Sequence, residues 1–146
     1  MNNQVGKVRT ISKAFEGRND VIRWDVLEIK KEQDLRVTII STNSKYKQGI
    51  RIAIDAGEGY VEVNGQKSKG IQLWQDTAPE IVELKCSASE GLLSVYNIWD
   101  MGRGNESQSH TSGMLIEKDG EKIIYKCNDF GHETNFDKIV FSIEKL

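Results

Sequence analysis

Apolar side chains alternate with polar ones along most of this chain, and this period of two constrains the fold more than any other feature. In the segment GIRIAID, Ile50, Ile52 and Ile54 fall on one face of an extended strand. The segments IVELKCSA (81–88) and FDKIVFSIEKL (136–146) repeat the pattern. Because successive side chains of a strand point to opposite faces of a sheet, each segment predicts a strand with one buried face and one solvated face.

Dipeptides that favour tight turns separate several of these segments. Asn64-Gly65 and Asp119-Gly120 adopt positive φ at low cost, so each predicts a two-residue hairpin loop. The second is flanked by MLIEK and EKIIYKC, both rich in strand-forming residues. Glu90-Gly91 predicts a further hairpin between IVELKCSA and LLSVYNIW.

Residues 20–31 fit two structures. Asp20 could cap a helix that carries Ile22, Val26 and Ile29 on one face. The β-branched and aromatic residues in this stretch, including Trp24, instead favour a strand. The segment LRVTIIST then predicts the returning strand, so we favour a hairpin over the helix.

Together these patterns predict an all-β chain of roughly nine or ten short strands. Thirteen glycines and a single proline, Pro79, agree with many tight turns. We predict a two-sheet antiparallel β-sandwich of the jelly-roll type, with residues 1–146 as one domain. The arrangement resembles jelly-roll carbohydrate-binding modules in general organisation, which is an analogy of fold alone.

The charge balance bears on the class of partner. The chain has 20 basic and 22 acidic residues, so the long-range field that draws proteins to phosphate backbones is missing and we expect no nucleic-acid partner. Its apolar runs are far shorter than the roughly 20 residues of a spanning helix, and MNNQVGKVRT lacks a secretory signal. We therefore expect a soluble, cytoplasmic protein without a membrane partner.

Neither cysteine belongs to a metal or redox motif. Cys86 and Cys127 both lie in predicted strands, where a free thiol behaves as a small buried hydrophobe, although a single disulfide between them stays possible. Two histidines and two cysteines scattered along the chain make a zinc site improbable. We expect no metal and no cofactor.

The segment NIWDMGRGNESQSH (97–110) is the first candidate for a functional loop. If Leu93 and Val95 face the core, the period of two sends Asn97 and Trp99 to the same face. A polar residue beside a tryptophan at the end of a buried face suggests that the interior opens to solvent there. Two interpretations remain: a tryptophan that closes the core with Asn97 bonded to backbone, or a ligand platform.

A second polar cluster, CNDFGHETNFDK (127–138), also leaves one strand and enters another. The predicted hairpin at Asp119-Gly120 places this loop beside the start of the strand that begins at Gly113. We therefore expect both polar loops at the same end of the sandwich. The cluster lacks the ligand spacing of a calcium loop.

A third patch, IQLWQDTAP (71–79), places Trp74 on the same strand face as Gln72. Aromatic rings that stack on sugar rings, with neighbouring amides, are typical of carbohydrate binding, but a covered sheet corner has the same composition.

We predict from these clusters a non-catalytic domain that binds a polar small molecule or a glycan through its loops. The predicted ligand-binding residues are Trp74, Trp99, Asp100, Arg103, His110, Asn128, Asp129 and His132. The first alternative is a protein-interaction module of the adaptor or immunity type. The second is a hydrolase that uses loop carboxylates such as Asp100 and Asp129, with a histidine as base.

Overall fold

The structure is a computed structural model that describes residues 10–11, 20–107, 112–129 and 135–146. Within these ranges the chain forms strands and no helix, so none of them holds a helix long and apolar enough to cross a membrane. The strands are β1 (Thr10–Ile11), β2 (Ile22–Glu28), β3 (Glu32–Thr42), β4 (Lys47–Ile54), β5 (Gly59–Val63), β6 (Gln66–Ser68), β7 (Gly70–Trp74), β8 (Ile81–Ala88), β9 (Leu92–Asp100), β10 (Asn105–Glu106), β11 (Gly113–Asp119), β12 (Lys122–Asn128) and β13 (Ile139–Lys145). The all-β prediction is confirmed for the described residues.

Eleven of these strands form one antiparallel sheet that nearly closes into a barrel. Their order is β6-β5-β8-β3-β13-β12-β11-β2-β9-β4-β7, with β1 paired to β2 and β10 paired to β9 beside this path. The two ends of the path, β6 and β7, are consecutive in the chain and separated by Lys69 alone. The sheet therefore curls until its first and last strands are joined covalently.

The division into the two separate sheets of a jelly roll is not confirmed. β2 pairs with β9 through Asp25–Glu28, and it also pairs with β11 through Ile22 and Met114. This single residue pair joins the β2-β9-β4-β7 side of the molecule to the other strands. Because β2 pairs with β11 at its start and with β9 along its second half, the strands form one sheet with a narrow joint.

The predicted alternation sets the core. In β8, Val82, Leu84 and Cys86 are buried while the residues between them are exposed. In β9, Leu93 and Val95 are buried in the core, and Ser94 between them is buried as well. Burial of this apolar surface is the main favourable contribution to folding. The buried core consists of Ile22, Leu27, Leu35, Val37, Ile50, Ile52, Val61, Leu73, Val82, Leu84, Cys86, Leu93, Val95, Met114, Ile123, Tyr125, Cys127, Ile139, Phe141 and Ile143.

Two of the predicted turns form hairpins, one of them shifted by a residue. Asn64 and Gly65 have φ of 52° and 78° and link β5 to β6, as a type I′ turn requires. At the other turn Asp119 pairs with Lys122, so the loop residues are Gly120 and Glu121. Positive φ occurs at Gly120 alone, which suits the first position of a type II′ turn.

The other two predicted pairings are wrong. Residues 22–28 form a strand, as favoured, but β2 and β3 are not partners: β3 pairs with β8 and β13. Likewise β8 and β9 do not pair across Glu90-Gly91, although the Gly91 amide donates to the carbonyl of Ala88 and closes a turn. Turn residues predict where the chain bends. Which strand pairs with which depends on how their apolar faces are buried together in the barrel.

Candidate functional site

The interior of the barrel becomes polar at the end where β9 and β12 finish. Along β9 the inner face carries Leu93, Val95, Asn97 and Trp99, so the predicted orientation of the last two is confirmed. Opposite them on β4, Ile50 pairs with Asn97, and Gln48 pairs with Trp99. Gln48 and Trp99 are both fully buried. Polar side chains thus replace aliphatic ones in the last rows of the core.

Asn97 connects β9 to β12 through the backbone. Its Nδ2 donates to the carbonyl oxygen of Asn128 at 2.8 Å. The Asn128 side chain in turn accepts from the backbone amide of Phe136 at 3.1 Å, where Phe136 has a φ of 50°. A bulky residue in the left-handed region is uncommon, and the Asn128 hydrogen bond helps to hold it there. The Asn97 side chain therefore links the end of β9 to the end of β12, and the Asn128 side chain links the end of β12 to the segment before β13.

Asp129 follows β12 directly and is 3% exposed. Its Oδ2 accepts hydrogen bonds from the Ser44 hydroxyl at 2.6 Å and from Gln48 Nε2 at 3.0 Å. The Ser44 hydroxyl oxygen also accepts from the backbone amide of Tyr46 at 3.1 Å. The segment between β3 and β4 therefore orients the carboxylate from one side.

Two buried polar atoms on the neighbouring residues Gln48 and Trp99 have no hydrogen-bond partner in the described part of the chain. They are the side-chain carbonyl oxygen Oε1 of Gln48 and the indole nitrogen Nε1 of Trp99. The orientation of the Gln48 amide is well determined, because its Nε2 donates to the Asp129 carboxylate and also to the carbonyl oxygen of Tyr46. Leaving a buried polar group unpaired costs about 1 to 3 kcal/mol. Among the described residues, Arg23 Nε and Trp24 Nε1 on β2 are buried without a partner as well.

A cleft of about 620 Å³ opens above the Asp129 carboxylate, and we call it the barrel-end cleft. Two lysines, Lys45 and Lys138, contribute positive charge to a lining that is otherwise neutral apart from Asp129. The Lys138 ammonium lies 3.8 Å from Asp137, which accepts from the side chain of Asn43 at 2.7 Å. The residues that line the cleft are Thr42, Asn43, Ser44, Lys45, Tyr46, Asp129 and Lys138.

Asp100 and Arg103 lie in a short hairpin within the segment 97–110 that we predicted to be a functional loop. β9 runs to Asp100, the chain turns, and β10 returns alongside it. The Asp100 carboxylate accepts from the backbone amide of Gly102 at 2.7 Å, which is a local turn contact. Arg103 forms a 3.0 Å ion pair with Glu106, and that hydrogen bond raises the pKa of the Arg103 guanidinium. Neither residue lines the cleft.

The remaining predicted site residues are dispersed. Trp74 lies on the outer face of β7, where the Lys47 ammonium stands 4.6 Å from its ring. Trp99 is completely buried, so its ring exposes no surface for stacking. His110 and His132 lie outside the described residues.

Sequence reasoning missed the contribution of residues 42–48, TNSKYKQ. A signal was present, because Gln48 shares its strand face with Ile50 and Ile52 and is therefore a polar residue at an inward position. Ser44 carried no comparable signal, since its role depends on Asp129, which lies 85 residues further along the chain.

The described residues offer no cluster of three or more histidine, cysteine or carboxylate side chains that could hold a metal ion. Both cysteines are buried and unpaired. Burial raises the pKa of the Cys86 thiol to about 12, with a smaller contribution from Asp34, and it also raises the pKa of Cys127. Thiols in this state are poor nucleophiles.

The sequence matches no protein-family model, and no curated protein matches it.

Proposed function

We propose that the barrel-end cleft binds a polar small molecule or a glycan unit and catalyses no reaction. The observation that carries this proposal is the Asp129 carboxylate, which lines the cleft although it is almost fully buried. Ser44 and Gln48 hold one of its oxygens in place. Because the protein has already met the cost of ordering and desolvating this group, a ligand that hydrogen-bonds to it gains affinity.

The chemistry of the lining favours a ligand that is rich in hydroxyl groups. A hydroxyl can donate to the Asp129 carboxylate and accept from Lys45 or Lys138, so a polyol matches both kinds of group. The volume of about 620 Å³ lies within the usual range for small-ligand sites. A lining this polar suits a sugar better than an apolar metabolite.

A cytoplasmic location is part of the same proposal. The two free, buried thiols are compatible with a reducing compartment.

A hydrolase is the less well supported alternative. Glycoside hydrolysis uses two carboxylates about 5 to 10 Å apart on either side of the bond. Among the described residues that line the cleft, Asp129 is the only carboxylate. Asp100, the predicted second acid, is engaged with the backbone of its own turn.

Thermal unfolding against a panel of sugars, polyols and nucleotides tests the proposal. A ligand at one hundred times its Kd stabilises the fold by about 2.7 kcal/mol, which raises the unfolding midpoint of a domain this size by several degrees. We expect one chemical class to produce this shift in the wild-type protein. Asp129→Asn should abolish it.

Two further variants separate ligand binding from damage to the fold. Lys45→Ala changes an exposed residue of the rim, so it should fold normally and weaken the shift. Asp100→Asn removes a carboxylate outside the cleft and should leave the shift unchanged. The proposal fails if no class of compound stabilises the protein, or if the shift survives in both Asp129→Asn and Lys45→Ala.

A further inference from the structure

The outer face of β2, β9, β4 and β7 carries an aromatic patch that the barrel-end cleft does not use. Tyr96 on β9 stands opposite Arg51 on β4, which stands opposite Gln72 on β7. Trp24 on β2 stacks on Tyr96 with ring centroids 5.0 Å apart. Trp74 lies one row further along β7. We call these five residues the aromatic face.

Two glycines allow the large side chains to lie flat against the strands. A Cβ atom at Gly70 would stand 2.8 Å from Nη2 of Arg51, so the guanidinium lies over bare backbone. A Cβ atom at Gly49 would likewise stand 2.8 Å from the Trp74 ring. Glycine inside a strand often marks such a close approach. The lack of a Cβ atom at Gly70 and Gly49 therefore makes room for the Arg51 guanidinium and the Trp74 ring.

Arg51 has no acidic partner in the described part of the chain, where its guanidinium makes neither an ion pair nor a hydrogen bond. Arg36, which also projects from the outside of the sheet, makes a useful contrast. Its cross-strand neighbours are Glu83 and Glu144, and it pairs with them at 2.9 and 3.4 Å. The cross-strand neighbours of Arg51 are Tyr96 and Gln72, neither of which carries charge.

We propose that the aromatic face is a docking surface for an acidic segment of another protein, whose carboxylate pairs with Arg51. Tryptophan, tyrosine and arginine are the residues that dominate the binding energy of protein interfaces. The planar guanidinium matches a carboxylate with two parallel hydrogen bonds. Lys47, beside Trp74, lies on the same face, but its cross-strand neighbour on β9 is Asp100. The positive charge that a carboxylate would complement is therefore that of Arg51.

NMR titration of the 15N-labelled protein with synthetic hexaglutamate tests this proposal. We expect the side-chain Nε–Hε signal of Arg51 and the backbone amides of β4 and β7 to shift as the peptide is added. Hexaglutamine, which has the same length without charge, should leave them in place. Arg51→Gln should weaken binding at least about tenfold, because a charge-assisted hydrogen-bond pair is lost.

Matched variants test whether the peptide binds through the Arg51 guanidinium or through non-specific charge attraction. Arg36→Gln removes the same charge from the same kind of sheet position and should retain full binding. Arg51→Lys keeps the charge and loses the planar fork, so it should bind with intermediate affinity and serves if Arg51→Gln folds poorly. Equal loss in Arg36→Gln would show non-specific attraction and overturn the proposal.

Two other outcomes also overturn it. If trigalacturonate shifts the Arg51 signal and hexaglutamate does not, the face recognises an acidic sugar instead of a protein. If neither probe moves the signal, Arg51 does not serve as a carboxylate site.

Discussion

The middle of the barrel and its polar end differ in the side chains that fill the interior. In the middle, Tyr125 and Phe141 stack with centroids 4.7 Å apart among aliphatic side chains. The single buried carboxylate of that region, Asp25, accepts a 2.6 Å hydrogen bond from the Tyr125 hydroxyl. At the end, buried Gln48 and Trp99 each carry a polar atom that no described residue pairs with. The middle is packed mainly from apolar side chains, whereas the end places polar side chains in the inner rows of the barrel.

The largest expected effect lies in the middle. Phe141→Ala removes a fully buried ring from the stack on Tyr125 and should lower the free energy of unfolding by about 3 to 5 kcal/mol, measured by urea denaturation. Val140→Ala, on the adjacent outward position, is the control and should cost less than about 1 kcal/mol. Similar losses for the two variants would contradict the inward and outward assignment in β13.

A smaller loss is expected at the polar end. Asn97→Ala removes the donor to the Asn128 carbonyl and leaves a buried acceptor, so it should cost about 1 to 3 kcal/mol in the same urea experiment. Asn43→Ala breaks an exposed hydrogen bond to Asp137 and is the matched control, with a loss below about 1 kcal/mol. If Asn97→Ala lowered the free energy of unfolding as much as Phe141→Ala, the polar end would contribute as much to stability as the middle.

The pKa of the Cys86 thiol depends on how well the middle of the barrel excludes water. The folded protein holds the Cys86 proton up to about pH 12, whereas an unfolded chain loses it near pH 8.5. Since the folded state binds more protons between these values, stability contributed by this thiol is complete below pH 8.5 and is lost as pH rises. The expected slope is about 1.4 kcal/mol per pH unit.

Comparison with Cys86→Ala isolates this contribution, because the variant should lose less stability between pH 9.5 and 11.5. Native protein at pH 8 should also resist a thiol reagent such as dithionitrobenzoate, and urea-unfolded protein should react at both cysteines. Rapid labelling of the native protein would show that the middle opens readily.

The smallest effect is expected in the hairpin beyond the polar end. Arg103 is 71% exposed and pairs with Glu106 three residues away, so Arg103→Ala should change the unfolding free energy by less than about 0.5 kcal/mol. A larger loss would mean that the β9–β10 hairpin supports the barrel end.

Part of the candidate site could be predicted from the sequence, because it depends on patterns among neighbouring residues. The period of two in β9 placed Asn97 and Trp99 on the inner face, and the β11–β12 hairpin brought Asn128 beside Gly113. Ser44 and Gln48 could not be found in this way. They meet Asp129 across 85 and 81 residues of chain, and no local pattern encodes such a contact.

The sequence by itself determined which residues form strands, which faces are buried and where tight turns form, because side-chain alternation and positive φ at Asn64 and Gly65 are properties of neighbouring residues. Only the tertiary structure decided which strands pair, and therefore that the sheet curls into one nearly closed barrel. Strand pairing depends on how distant apolar faces are buried together, and many pairings satisfy the same local pattern. The same long-range packing buried Asp129 beneath its cleft and left Arg51 on the outer face with no acidic partner among the described residues.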